Sequence, residues 1–189
     1  LKYNAPRNVE TFMAKAGWAG LAFTTVFGAA LATAGQAAEV VALGASNTAG
    51  RGRGATPDGV DRPQAYPAQL ERLLQAQGCR VRVANAGVAG NTTAQMLARL
   101  PKALGKDTRV LILQPGGNDQ RRGGGDTGDN VEAIKQFAAA RGVAVVMFDQ
   151  PGRIAGRFRL PDGQHFSAEG HALFASHLAP QVVSAGACR

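Results

Sequence analysis

The chain has 189 residues, the size of one domain, and carries 21 basic against 13 acidic residues for a formal net charge of +8. The basic residues, mostly arginines, are spread along the chain with no dense run, and only 6% of the residues are aromatic, which argues against nucleic-acid binding. A solvated basic surface is the favoured interpretation, although this charge can also attract anionic surfaces or substrates.

Residues 1–38 differ in character from the rest of the chain. Residues 1–12 precede the first methionine and form no recognisable element. A lysine then precedes an apolar stretch at about residues 16–34 that ends in small residues, which predicts a secretory signal peptide. An uncleaved membrane anchor is the alternative, but the stretch is dominated by alanine, glycine and threonine, and no basic cluster follows it. We therefore expect a periplasmic or secreted domain at residues 39–189.

Four short apolar runs predict strands that are buried on both faces, and helical patterns alternate with them. The predicted strands are residues 39–44, 79–87, 108–116 and 142–150. The predicted helices are residues 66–77, 91–104, 129–142 and 167–183. Pro101 should kink or end the second helix, and Ser167 should cap the last one. This alternation predicts an α/β fold with a parallel sheet between two layers of helices.

Polar and glycine-rich turns follow the first three predicted strands. Ser46 comes after the first strand, residues 87–91 after the second and residues 116–119 after the third. In such sheets, functional residues lie beyond the carboxyl ends of the strands. We therefore expect these three turns to meet on one rim.

Ser46 has the companions that a serine nucleophile requires: a base, a group that orients the base, and donors for the oxyanion. His165 is the candidate base, and Asp162, three residues earlier, is the candidate that orients it. The candidate oxyanion donors are the backbone N–H groups of Ser46 and Gly90 and the side-chain amide of Asn118. Hydrolysis should then fall as the pH drops through the range in which imidazole is protonated.

Four blocks of the sequence resemble the SGNH (GDSL-type) hydrolase family. They are "GASN" with Ser46, "NAGVAGNTTAQMLARLP" with Gly90, "GGND" with Asn118, and "DGQH" with Asp162 and His165. They occur in the family's order, and the second block is most similar to the bacterial periplasmic thioesterase I, lysophospholipase and arylesterase branch. The resemblance implies a three-layer α/β/α, flavodoxin-like fold. It also implies hydrolysis of short-to-medium acyl esters or thioesters through an acyl-enzyme at Ser46, with no metal and no cofactor.

The chain departs from the family pattern at two places. Ala45 stands where the family usually has aspartate, so a contact near the nucleophile is expected to be absent. Only residues 151–161 separate the fourth predicted strand from "DGQH", where relatives usually insert a further helix and strand. We therefore expect a short sheet of about four strands and an open cleft beside the histidine loop.

Two other classes of function remain as alternatives. One is a non-catalytic member of the fold that binds carbohydrate or a surface, the missing unit having removed the activity. The other is a flavodoxin-like cofactor binder, because "SNTAG" also resembles a phosphate-binding loop. For the favoured hydrolase, we expect a monomer that binds a small-molecule acyl ester or thioester, with no nucleic acid and no membrane insertion after signal cleavage.

Cys79 and Cys188 are the two cysteines of the chain, and export would place them in an oxidising compartment. In a flavodoxin-like order, the first and last predicted helices pack on the same face of the sheet. Both cysteines then fall at its amino end, opposite the site, which predicts a structural disulfide. His171 and His177 of the last helix are expected on a solvated face.

Overall fold

A computed structural model describes residues 38–51, 58–123, 126–148, 151–154 and 156–188. Residues 1–37, which include almost all of the predicted signal peptide and the residues before it, lie outside the described residues. All described residues belong to one unit of the chain, Gly35–Arg189.

Four parallel strands form the central sheet, which confirms the predicted fold class. The strands are β1 (Ala38–Gly44), β2 (Val81–Gly87), β3 (Thr108–Gln114) and β4 (Ala144–Met147). They lie in the order β2-β1-β3-β4, and each neighbouring pair is parallel. Burial of both faces explains their continuous apolar sequence, since residues 110–113 of β3 are all fully buried.

Helices connect the strands across both faces of the sheet. They are α1 (Ser46–Ala49), α2 (Tyr66–Ala76), α3 (Thr93–Ala103), α4 (Asn118–Arg121), α5 (Thr127–Ala139), α6 (Pro151–Ile154) and α7 (Ala168–Ser184). The four longer helices lie where the sequence predicts them, to within a few residues at each end. The single turns α1, α4 and α6 are additions, and each lies close to the carboxyl ends of the strands.

Each face of the sheet has its own apolar core. α2 and α7 cover one face, where Leu70 and Phe174 belong to the same buried cluster as Val40 of β1. α3 and α5 cover the other face, where Ile134 belongs to a cluster with Val41. Successive strand residues point to opposite faces, so β1 contributes to both cores. The result is the predicted three-layer α/β/α arrangement.

Side-chain caps define the helix ends that border the rim. The Thr92 hydroxyl accepts a hydrogen bond from the Gln95 N–H, while the Thr92 N–H donates to the Gln95 side chain at 3.1 Å. Ser167 caps α7, as predicted, and accepts from the Gly170 N–H. Pro101 lies inside α3, which continues to Ala103, so the helix does not end at this proline.

A disulfide joins Cys79 to Cys188, as predicted, with the two Cα atoms 5.2 Å apart. Cys79 precedes β2 and Cys188 follows α7, so the bond lies at the amino end of the sheet. It closes a loop with a sequence separation of 109 residues, which strongly restricts the unfolded chain.

The chain takes a short route from β4 to the loop that contains His165. α6 and a 3₁₀ turn at Gly156–Phe158 lead into a short hairpin in which Arg159 pairs with Phe166. Within the described part of the chain, no strand extends the sheet beyond β4. The expected short, four-stranded sheet is therefore confirmed.

Candidate active site

Turns after β1, β2 and β3 lie at the same rim of the sheet. Ser46 is the first residue of α1, which follows β1 after one residue. Gly90 lies between β2 and α3, and Asn118 is the first residue of α4, which follows β3. β1 and β3 are neighbours whose onward connections run to opposite faces of the sheet, and ligands bind at this position in doubly wound folds.

Two glycines let α1 pack directly against the strand ends. A methyl group on Gly44 would overlap the Thr48 side chain, and one on Gly87 would overlap backbone atoms of Thr48 and Ala49. No larger residue therefore fits at either position without a shift of the helix. This close approach fixes the turn that presents Ser46.

His165 and Asp162 form a hydrogen-bonded pair. His165 Nδ1 lies 2.5 Å from Asp162 Oδ2, and Asp162 Oδ1 accepts from the backbone N–H groups of Gln164 and His165 at 2.8 and 2.9 Å. An ionised carboxylate only accepts hydrogen bonds, so Nδ1 carries the proton and Nε2 of the neutral ring is left as an acceptor. This is the tautomer that a general base needs.

Asp162 remains ionised at neutral and moderately acidic pH. Burial acts to raise its pKa, but the backbone N–H groups of His165 and Gln164 and the His165 ring together stabilise the charged form more strongly. They lower the pKa of Asp162 to about 2. The carboxylate therefore stays an acceptor for His165 wherever the imidazole itself can act as a base.

The hairpin fixes this pair at the rim. The Leu160 N–H donates to the His165 carbonyl at 2.8 Å, and the Ser167 N–H donates to the Phe158 carbonyl at 3.0 Å. Phe166, between His165 and the cap of α7, is buried in the core beneath α7. Backbone pairing and one buried aromatic ring thus anchor the loop despite its short connection to β4.

The turn that contains Ser46 and the hairpin that contains His165 each contribute one residue to the lining of one cleft. Asn47, which follows Ser46, and Arg159, in the hairpin, both line it. Among the described residues, Ser46 Oγ makes no hydrogen bond to His165. Hydrogen bonds of this type are often long in the absence of substrate and shorten in the complex. The free structure therefore pairs His165 with Asp162, and Ser46 lies on a separate turn of the rim.

The candidate oxyanion donors also lie in the rim turns. Gly90 has a φ of 76°, in the left-handed region that favours glycine. The backbone N–H groups of Ser46 and Gly90 donate to no acceptor among the described residues. Asn118 Nδ2 donates to the Asn91 carbonyl at 2.9 Å, which leaves its second N–H for another acceptor.

The orientation of Asn118 is supported from both sides. Arg121 donates to Asn118 Oδ1 at 2.8 Å, so the amide nitrogen faces Asn91. The buried Asp119 accepts from the Thr93 N–H at 3.0 Å and from the Thr93 hydroxyl at 2.5 Å. These bonds tie α4, and with it Asn118, to the start of α3.

Arg99 of α3 is a residue that the sequence analysis did not identify. Its guanidinium donates to the Gly44 carbonyl at 2.9 Å, the Ala86 carbonyl at 2.7 Å and the Asn91 side chain at 2.8 Å. Burial lowers its pKa. One sequence signal was present, because Arg99 follows the buried Met96 by three residues and so lies on the core-facing side of α3. It joins the ends of β1 and β2 to the turn that contains Gly90.

His171 and His177 were both expected to be exposed to solvent. This expectation is wrong for His171 and is confirmed for His177. His171 is fully buried, and its Nδ1 accepts from the Tyr66 N–H at 3.3 Å. Burial lowers its pKa to about 4, against a smaller opposing effect of the Gly50 carbonyl, so the ring is neutral at physiological pH. The expectation failed because the core surrounds more of α7 than its stripe of large apolar residues indicates.

A buried polar chain runs beneath α1. The Tyr66 and Thr48 hydroxyls lie 3.3 Å apart, and the Thr48 hydroxyl donates to Gln114 Oε1 at 3.3 Å. Gln114 Nε2 in turn donates to the Pro115 carbonyl at 3.1 Å. Burial raises the pKa of Tyr66. The chain links α2, α1 and the end of β3, and it holds the serine turn against the third rim turn.

The cleft beside Ser46 has a volume of about 410 Å³. Two parts of the chain supply its walls: Asn47, Gln114, Pro115 and Gly117 come from the ends of β1 and β3 and the turns after them, and Pro151, Gly152, Arg153 and Arg159 come from the segment after β4. A larger cavity of about 560 Å³ lies beside the disulfide, at the opposite end of the sheet. Only the smaller of these two adjoins the serine turn, the Asn118 turn and the histidine hairpin, so it is the candidate substrate cleft.

One protein family and one curated protein match part of this chain. Residues 42–131 match the GDSL-like lipase/acylhydrolase family. Esterase TesA of Pseudomonas aeruginosa is 36% identical over 92 residues, which are 47% of this chain and 46% of that protein. Thus the chain matches about half the length of this curated relative.

Solved structures share the fold. The psychrotrophic esterase EstA from Pseudoalteromonas sp. superposes with a TM-score of 0.66 and 15% identity, over 78% of this chain and 97% of that one. AlinE4, an SGNH-hydrolase family esterase, superposes with a TM-score of 0.52 and 26% identity, over 80% of this chain and 74% of that one. Separately, none of the helices in the described ranges combines the length and apolar character needed to span a membrane.

Proposed function

We propose that the chain is a serine ester hydrolase of the SGNH (GDSL-type) family, because residues 42–131 match the GDSL-like lipase/acylhydrolase family and AlinE4, an SGNH-hydrolase family esterase, shares its fold. One observation carries the proposal: His165 is paired with Asp162 on a hairpin whose Arg159 lines the same cleft as Asn47, the residue after Ser46. Esterase TesA, which is similar to about half of this chain, is named for the same reaction class.

Acylation begins at Ser46. Its Oγ attacks the acyl carbonyl carbon while His165 Nε2 takes the hydroxyl proton, and Asp162 stabilises the imidazolium that forms. The negative charge moves to the carbonyl oxygen, where the N–H groups of Ser46 and Gly90 and the Asn118 amide donate to it. All three donors belong to turns of the same rim, and two of them have no acceptor among the described residues.

Collapse of the tetrahedral intermediate breaks the bond to the leaving group. His165 returns its proton to the departing alcohol or thiol, and the acyl group remains on Ser46 as an ester. A water molecule then attacks this ester while His165 takes one of its protons. The carboxylic acid product leaves, and the hydroxyl of Ser46 is restored by the proton from His165.

The substrate class is a small-molecule ester or thioester with a short-to-medium acyl chain. Its basis is the open cleft of about 410 Å³, whose outer wall is the short segment before the hairpin. The lining combines apolar Pro115 and Pro151 with polar Asn47 and Gln114. A lining of this kind favours a short-to-medium acyl chain over a long one.

Hydrolysis of a series of 4-nitrophenyl acyl esters tests the proposal. Wild type should turn over the short-to-medium esters, and Ser46→Ala should lose turnover while it stays folded. Ser176→Ala is the matched control, because Ser176 lies exposed on α7 and bonds only to its own helix, at the Ala172 carbonyl. A folded wild type with no turnover of any ester would contradict the proposal and favour the non-catalytic binding protein.

We also propose that the chain is exported and cleaved close to residue 38. The Cys79–Cys188 disulfide supports this, because such bonds persist mainly in oxidising compartments. Amino-terminal sequencing of the protein from a periplasmic or culture fraction should give a start after residue 34, 37 or 38. Recovery of the uncleaved chain from the cytoplasm alone would contradict export.

A further inference from the structure

The cleft beside Ser46 has a basic wall that the proposed hydrolysis does not use. Arg153 of α6 and Arg159 of the hairpin both line it. Arg121 lies close to the opposite wall, with its guanidinium within 4 Å of a methyl group placed on Gly117. Among the described residues that line the cleft, none is acidic. The cleft therefore presents several guanidinium groups and no carboxylate of its own in the part described.

Arg159 is held in place rather than free in solvent. Its guanidinium donates to the Gly163 carbonyl at 2.6 Å and lies 5.0 Å from the centre of the Phe166 ring. Its second terminal nitrogen lies so close to Gly152 that a methyl group there would overlap it. The bond from Nη1 to Gly163 fixes the position of the guanidinium, and Nη2 lies beside Gly152 in the lining of the cleft. A guanidinium held in this way loses little freedom when it donates to a further acceptor.

Arg153 supplies a second positive charge on the same wall. It is exposed, and no hydrogen bond or ion pair is formed by its side chain with any described residue. Two guanidinium groups that line one cleft can bind the oxygens of a carboxylate or a phosphate through charge-assisted hydrogen bonds. Nearby low-dielectric walls strengthen such an attraction.

We propose that this wall binds an anionic group of the substrate, so that the preferred ester or thioester carries a carboxylate or phosphate. This inference rests on the proposed ester hydrolysis and specifies its substrate class. The anion belongs either to the acyl group or to the leaving group, and the two positions share the same recognition chemistry.

Matched pairs of substrates test the preference. Mono-4-nitrophenyl glutarate and its methyl ester place the anion or a neutral group on the acyl side. 4-Carboxyphenyl butyrate and its methyl ester do so on the leaving-group side. In one of the two pairs, Arg153→Gln should lower the ratio of kcat/KM for the anionic over the neutral ester about threefold to tenfold. Arg153→Lys should retain most of the ratio.

Arg109→Gln is the control for overall charge. Arg109 is exposed at the amino end of β3, away from the cleft, and its loss removes the same single charge. This variant should change the ratio by less than about twofold, because screening weakens distant charges. An Arg153→Gln ratio equal to that of Arg109→Gln in both pairs would overturn the inference while leaving the ester hydrolysis intact.

A binding measurement separates this inference from the proposed reaction. Calorimetric titration of Ser46→Ala needs no turnover and is made with two pairs, monomethyl against dimethyl glutarate and 4-carboxyphenyl butyrate against its methyl ester. In one pair the anion should bind more tightly than the neutral ester, and adding Arg153→Gln should remove the difference. Anion preference in a protein without esterase activity would reject only the reaction, whereas equal affinities for the anionic and neutral esters in both pairs would reject the anionic wall.

Discussion

At the scale of single residues, Asn118 is the oxyanion donor with the clearest support. Arg121 fixes its amide orientation, and Asn91 accepts one of its two N–H groups. Removal of one oxyanion donor typically lowers kcat by about 10²–10³. We expect Asn118→Ala to show such a loss with little change in KM, measured with a 4-nitrophenyl ester. A kcat within about twofold of wild type would exclude Asn118 from the oxyanion site.

The pairing of His165 with Asp162 predicts the pH dependence of the reaction. The Asp162 pKa is lowered to about 2, so the carboxylate does not titrate in the moderately acidic range. A protonated imidazole cannot take the serine proton, so log kcat/KM should fall with a slope of about one as the medium becomes acidic. A rate that stays flat from neutral pH to pH values where imidazole is protonated would contradict His165 as the base.

Asp162→Asn tests the orienting role of the aspartate. An amide in that place can donate to Nδ1, which favours the tautomer with the proton on Nε2 and blocks the base. The equivalent change in a serine-histidine-aspartate triad lowers kcat by about 10⁴. We expect a loss of this order with KM nearly unchanged. Near-normal turnover by a folded variant would show that the hydrogen bond to Asp162 is not used in catalysis.

At the scale of secondary-structure elements, the contact of α1 with β2 positions Ser46. A methyl group on Gly87 would overlap the backbone of α1, and backbone cannot rotate away. Gly87→Ala should therefore lower the free energy of unfolding by about 1–3 kcal/mol and reduce kcat as well. Urea denaturation and ester turnover measure the two effects.

Gly128→Ala is the control for this change. Gly128 lies in α5 with open space around its Cβ position, so alanine there should raise the free energy of unfolding by up to about 1 kcal/mol through helix propensity. Equal behaviour of Gly87→Ala and Gly128→Ala would contradict the proposed role of the α1 contact.

The elements themselves were predictable because their signals are local. Continuous apolar runs gave the four strands, and caps such as Ser167 gave the helix ends. The hairpin around His165 was not predictable, since its anchor is a pairing of Arg159 with Phe166 that has no sequence periodicity. Arg99 was missed for a related reason, because its three acceptors come from segments that only the folded sheet brings together. His171 shows the limit of helical stripes, since small residues around it allow the core to close over it.

At the scale of the whole molecule, the buried His171 makes stability depend on pH. Its pKa falls from 6.5 to about 4 on folding, so between these values the unfolded chain binds more protons than the folded one. The stabilising effect of its neutral form is complete above pH 6.5 and is lost as the pH falls toward 4. The loss is on the order of 2–3 kcal/mol, at about 1.4 kcal/mol per pKa unit.

Urea unfolding at pH 7 and pH 4.5 measures this effect. His171→Asn retains an acceptor for the Tyr66 N–H but does not titrate, so its free energy of unfolding should change less between the two pH values than that of wild type. His177→Asn, at an exposed position of α7, should behave as wild type does. The lowered pKa of Asp162 does not interfere, because it affects stability only below its unfolded value of about 3.8. The same pH dependence in wild type and His171→Asn would contradict this role.

The central claim is that an acyl-enzyme forms at Ser46, and mass spectrometry of acid-quenched protein tests it most directly. Wild type mixed with excess 4-nitrophenyl acetate and quenched during turnover should gain the mass of one acetyl group. After digestion, that group should map to Ser46, and Ser46→Ala should carry none. Turnover of the ester with no acetyl group on Ser46, or with the group on another residue, would contradict the claim.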